Sequence, residues 1–200
     1  MDGKLFVVTN RKLIKDGNLI NVTEAIVKGG ADAIILREKD LSSEELCSLA
    51  VKMQEVVMDR IPLVINGNYE VAVKCKADGI QLNYNTFLDF NKPYDKLKGV
   101  SIHSLEEARK VYDIGANYVL AGHIFNTACK AGLPGRGTEF LNEICSKVSL
   151  PVIAIGGIEL SNISSVLSVG AKGIALMSSV MEAENPEEIV YKMKEAINNY

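Results

Sequence analysis

A short step repeated four times constrains this chain more than any other feature. Gly30-Ala31-Asp32-Ala33-Ile34, Lys76-Ala77-Asp78-Gly79-Ile80, Gly115-Ala116-Asn117-Tyr118-Val119 and Gly170-Ala171-Lys172-Gly173-Ile174 each pass from a helix end, through a brief polar link, into β-rich apolar residues. A glycine just past a helix takes the left-handed conformation that ends it, and a link this short is an αβ loop. The spacing therefore predicts repeated βα units. Strands are expected at 5–9, 33–39, 62–66, 79–82, 99–102, 118–125, 151–155 and 173–178. The runs VVT, AIIL, PLVI and PVIAI are continuously apolar rather than alternating, as in parallel strands covered on both faces. Helix starts are expected at Asn21 with Glu24, Ser42 with Glu45, Ser104 with Glu107, and Asn185-Pro186 with Glu188, each an acceptor followed at N3 by glutamate. Eight such units in 200 residues fit a compact single-domain TIM (β/α)8 barrel over 1–200. A doubly wound open sheet is the alternative. It would normally bring a G-x-G-x-x-G turn after the first strand, where this chain has Thr9-Asn10-Arg11-Lys12.

Composition removes several function classes. With 48% hydrophobic and 24% charged residues and 5 prolines, the chain has the make-up of a globular protein rather than a disordered or fibrous one. The net charge is −3 and the 22 basic residues form no run, which argues against nucleic acid or an acidic membrane as partner. The apolar stretch in MDGKLFVVTN is too short for a signal peptide and no window reaches a membrane span, so a cytoplasmic location is expected. Cys47, Cys75, Cys129 and Cys145 form no C-x-x-C pair and have no histidine at ligand spacing, so neither zinc nor a disulfide framework is expected. Three of them fall in apparent helices as small apolar fillers, whereas Cys129 sits in a polar loop.

In a barrel of this kind the active site is built from strand C-termini and βα loops. The sixth apolar run ends at Gly122-His123 and opens into a loop carrying Thr127, Lys130 and Arg136 among four glycines. An imidazole there can carry a proton near neutral pH, or can simply hydrogen-bond a carbonyl. At the end of the second strand, alternation puts Arg37 and Lys39 on one side and Glu38 on the other, so two cations point into the mouth unless they form a solvated rim. Gly156-Gly157 and Ser178-Ser179 follow the seventh and eighth strands, where bare amides commonly cradle phosphate. A tight turn would explain the glycines alone. Asn66-Gly67-Asn68 and Gln81-Leu82-Asn83 place no carboxylate at their mouths, so no metal ligand is assigned and no cofactor is expected. His103, directly before the Ser104 cap, reads as structural.

From Leu5 almost to its C-terminus the chain resembles the thiamine phosphate synthase superfamily, through LREKD at 36–40, GVSIHSLEEA at 99–108, PVIAIGGI at 151–158 and GIALMSSV at 173–180. GHIFNTACKAGLPGRG at 122–137 is similar to the TenI branch, the thiazole tautomerases, with His123 where synthases typically carry proline. The pattern departs from synthases at Gly67, where they place a metal-binding aspartate, at 84–86, where they carry a second acidic ligand, and at Ile35, where they carry glutamine. The resemblance implies that Thr127 and Lys130 hold a thiazole carboxylate, that Gly157 and the Met177-Ser178 amides hold its phosphate, and that His123 moves the proton. Cys129 stands where synthases have threonine, and what Arg37 and Lys39 bind is left open. The resulting expectation is a cofactor-independent isomerase that aromatises a carboxythiazole phosphate, with transferase activity lost. A magnesium-dependent thiamine phosphate synthase and a non-catalytic thiazole phosphate-binding regulator are the alternatives. The expected partner is the small thiazole phosphate, and a homodimer is left open.

Overall fold

The repeated βα units close on themselves. In the computed structural model, which describes residues 3–200, eight parallel strands form a closed barrel in sequence order, the first pairing with the eighth. They are β1 (Lys4–Val8), β2 (Ala33–Leu36), β3 (Leu63–Asn66), β4 (Gly79–Asn83), β5 (Leu97–Ile102), β6 (Tyr118–Gly122), β7 (Val152–Ile155) and β8 (Gly173–Leu176). The helices between them are α1 (Leu19–Lys28), α2 (Ser43–Val57), α3 (Tyr69–Lys74), α4 (Tyr84–Leu88), α5 (Leu105–Asp113), α6 (Gly137–Lys147) and α7 (Ile163–Ser168). After β8 come α8 (Ser178–Met181) and α9 (Pro186–Asn198). No described helix is long and apolar enough to cross a membrane.

Two apolar layers result from the pleat. Phe6, Val8, Ala33, Ile35, Val64, Tyr118, Leu120, Ile153 and Ala175 form one buried cluster that fills the barrel, with the Phe6 and Tyr118 rings packed edge to face at 5.3 Å. The intervening strand residues, among them Leu5, Val7, Ile34 and Leu36, join the larger cluster under the helices. This division explains the unbroken apolar runs of β1, β2, β3 and β7, whose two faces both meet apolar layers, whereas inside β4 and β5 the buried Gln81 donates from its Nε2 to Ser101 Oγ at 3.0 Å.

Several expected boundaries move. β2 stops at Leu36 rather than 39, β6 at Gly122 rather than 125, and β8 at Leu176 rather than 178. The last strand pairings are Leu36 with Ile65 and Gly122 with Ile155, and beyond β6 the backbone still bonds to the β7 side, Ile124 N to the Ile155 carbonyl at 3.0 Å and Phe125 N to the Gly156 carbonyl at 2.9 Å. The first helix is capped by Asn18, whose Oδ1 accepts from Ile20 N at 2.9 Å and Asn21 N at 3.1 Å, and not by Asn21. Leu19, Val22 and Ile26 share its buried face, so the helix has to start early enough to include Leu19. The caps expected at Ser42, Ser104 and Asn185 form, with Ser42 and Glu45 making a full capping box.

Ordinary polar contacts close the opposite end of the barrel. The half-buried Asp32 accepts from Lys4 Nζ at 3.0 Å, Lys194 Nζ at 2.6 Å and Leu5 N at 2.8 Å, tying β1, the start of β2 and α9 together.

Candidate functional site at the strand C-termini

The first residue past β2 is Arg37, half-buried and in register with the inward-facing Ala33 and Ile35, and the exposed Lys39 follows two residues on. Neither side chain forms an ion pair among the described residues. The intervening acids are committed elsewhere. Glu38 takes Thr9 Oγ1 at 2.7 Å and the Arg11 guanidinium at 3.0 Å, while Asp40 grips Arg11 through two bonds of 2.7 and 2.8 Å. Arg11 is thereby pushed above the ordinary guanidinium range, first by Asp40 and then by Glu38, and Asp40 is held well below the carboxylate range by Arg11 and Lys12. Sequence reasoning had turned Glu38 away from the mouth without finding this network. The signal was the polar Thr9 closing an apolar run beside the Arg-Glu-Lys-Asp alternation at 37–40.

His123 follows β6, half-buried, with its Nε2 3.2 Å from the Leu133 carbonyl. A neutral ring protonated on Nε2 donates to that carbonyl and ties down the loop over 126–134. Asn126 Oδ1, accepting from Gly135 N at 2.8 Å, closes the same loop at its base. The loop surrounds an open surface hollow of about 610 Å³ whose lining, all from this loop, includes Thr127 and Lys130. The Thr127 side chain also caps the short helical turn at Ala128–Lys130. Arg136 is turned aside, its guanidinium 5.3 Å from the Phe140 ring centre. His103 lies on the same rim, its Nδ1 2.9 Å from the Gly122 carbonyl.

After β7, Gly157 has a φ of 65° and its carbonyl accepts from Asn162 Nδ2 at 2.9 Å. A Cβ there would lie 2.5 Å from the Asn126 carbonyl oxygen and 2.8 Å from Phe125 Cβ, so the crossing of the β6 loop already demands glycine. After β8, Met177 caps α8, whose first internal bond runs from Val180 N to Met177 O at 3.1 Å, leaving the Ser178 and Ser179 amides at the helix start. The pairing of Ile155 with Ala175 keeps the two segments side by side.

The mouths of β3 and β4 hold amides rather than carboxylates. Asn68 caps α3 by accepting from Val71 N at 3.0 Å, and Asn83 caps α4 by accepting from Thr86 N at 2.9 Å. Among the described residues no three His, Cys, Asp or Glu side chains gather where they could hold a metal ion.

Comparison with known proteins gives a consistent result. The family described as thiamine monophosphate synthase matches residues 5–180. A thiamine-phosphate synthase of Clostridium acetobutylicum is 34% identical over 189 residues, covering 92% of this chain and 90% of that protein. One of Syntrophomonas wolfei is 33% identical over 203 residues, covering 97% and 96%. A thiamine phosphate pyrophosphorylase from Pyrococcus furiosus has a solved structure that superposes with a TM-score of 0.85 at 30% identity, covering 98% of this chain and 96% of that one. These relatives overturn the expectation of a thiazole tautomerase, an isomerase with transferase activity lost, since they carry the synthase name. The TenI branch is likewise not supported by them. That expectation rested on three local changes, at Ile35, Gly67 and 84–86, and on His123, against a family match along residues 5–180.

Proposed function

Because the chain belongs to the thiamine monophosphate synthase family, we propose that it is a transferase that joins a pyrimidine, carried as its diphosphate ester, to a thiazole phosphate. The carbon–oxygen bond to the diphosphate breaks, a carbon–nitrogen bond to the thiazole forms, and pyrophosphate leaves with the bonding electron pair. The observation that carries this reading is the pair Arg37 and Lys39, without carboxylate partners at a barrel mouth whose neighbouring cations Arg11 and Lys12 are neutralised. Unpaired cations held ready for an anion stabilise the charge that develops on a departing diphosphate, and they do so without reorganising.

The remaining assignments follow from that one. The amides of Gly157, Ser178 and Met177 would receive the thiazole phosphate, where backbone donors need no side chain. Lys130 and Thr127 line the loop cavity and would contact the substrate from above. His123 would hold the loop in place through Leu133. Among the described residues, those after β3 and β4 form no carboxylate cage for magnesium.

The test is direct. Purified protein with the pyrimidine diphosphate and the thiazole phosphate, with and without added magnesium, should release thiamine phosphate and pyrophosphate in equal amounts. No product under either condition would refute the reading.

A further inference from the structure

Glu38 and Thr9 are buried polar groups near the mouth, and both belong to one hydrogen-bond string. The Glu38 side chain is 1% exposed, and a carboxylate so placed is costly unless its lone pairs are filled. It accepts from Thr9 Oγ1 at 2.7 Å, from Arg11 N at 3.0 and 3.1 Å, and from Arg11 Nη1 at 3.0 Å. Thr9, itself fully buried, accepts at the same Oγ1 from Arg37 N at 2.9 Å. The direction of this string is fixed. An amide nitrogen can only donate and an ionised carboxylate can only accept, so the Thr9 hydroxyl must take the Arg37 proton and give its own to Glu38.

The string sits where the ladder has ended. Leu36 is the last paired residue of β2, and Arg37 is the first residue past that ladder. The same network removes the carboxylate that would otherwise neutralise Arg37, because Glu38 is filled from the β1 side and Asp40 is held by Arg11 and by Lys12 at 3.1 Å.

We infer that Thr9 and Glu38 are positioning residues for Arg37: their buried string fixes its backbone beyond β2 so that its guanidinium faces the diphosphate while Glu38 cannot pair with it. The inference rests on the reading of Arg37 as an anion ligand. It adds that the polar pair behind the cation sets the affinity, although neither residue touches the ligand.

The experiment uses the full chain and inorganic pyrophosphate. Thr9→Val removes the hydroxyl at nearly constant shape and should weaken calorimetric pyrophosphate binding about tenfold, the upper range for one net hydrogen bond. Thr9→Ser, which restores the hydroxyl, should return affinity to within about twofold. In an Arg37→Ala background, Thr9→Val should cost nothing further, because the residue it positions is gone. An equal loss in that background, or no loss in the wild-type background, overturns the inference. A second readout needs no ligand and no variant: the Arg37 amide proton should exchange slowly with solvent in the wild-type protein although it lies outside the ladder, and fast exchange overturns the inference. Wild-type protein that binds no pyrophosphate refutes the functional reading, and with it the ligand named here. Binding that ignores Thr9→Val refutes only the positioning.

Discussion

Replacing Gly157 by alanine separates the packing demand at the end of β7 from any demand made by a ligand. The residue has φ +65°, and an added Cβ would stand 2.5 Å from the Asn126 carbonyl oxygen, 2.8 Å from Phe125 Cβ and 2.8 Å from the Phe125 carbonyl oxygen. Left-handed backbone costs a residue with a Cβ about 1–2 kcal/mol. Overpacking against atoms that cannot swing away adds about 1–3 kcal/mol. The lost freedom of the unfolded chain returns about 0.4–1 kcal/mol. The net is a destabilisation of roughly 2–4 kcal/mol, and in a chain of this size each kcal/mol moves Tm by about 2–4 °C. Calorimetric melting without any anion should therefore show a fall on the order of 5–15 °C. Gly132→Ala is the control: its φ is +83° but nothing lies within 4 Å of an added Cβ, so only backbone strain remains and Tm should fall by no more than about 6 °C. If Gly157→Ala melts no lower than Gly132→Ala, the β6 loop can move aside and the steric reasoning is wrong.

Two further outcomes follow from buried charge and buried sulfur. Burial acts to raise the Asp32 pKa, but Lys194, the Leu5 amide and Lys4 outweigh it and hold the carboxyl below its ordinary value. A carboxyl lowered by folding stabilises above its unfolded pKa of about 3.9 and loses that contribution as pH falls through the folded value. Asp32→Asn should accordingly lower Tm at pH 7, with the gap to wild type closing below about pH 4; a gap that persists to pH 2 would count against the ion pairs as its cause. For the thiols, burial raises Cys75 and pushes Cys145 up to about 11, whereas Cys129 is exposed in the loop. A thiol-alkylating reagent at pH 7.5 should modify Cys129 first, read by peptide mass spectrometry, and earlier labelling of Cys145 would contradict the burial of α6.

The local code of this chain wrote its barrel. Apolar runs without alternation, glycine at helix ends and acceptor–glutamate pairs are properties of neighbouring residues, so eight parallel strands and the caps at Ser42, Ser104 and Asn185 could be read directly from it. The same local reasoning found Arg37, His123, Gly157 and Ser178 at the polar ends of apolar runs, although the structure puts Arg37, His123 and Ser178 past strands that were expected to contain them. Local signals could not fix where each strand stops, since a strand ends where its pairing with its neighbours ends, as at Leu36, the last residue of β2 paired with β3. They also could not say which charges are spent. Arg11 and Arg37 are equally basic in sequence, and only the closure of β1 against β2 brings Glu38 and Asp40 onto one and leaves the other without an ion pair among the described residues. Gly157 carries the same lesson, because its need for glycine comes from Phe125 and Asn126 crossing over it from another unit of the barrel. Short-range preference determined the elements, and contacts between residues far apart in the chain determined the charge and shape of the mouth, because those depend on distances that only closure of the barrel sets.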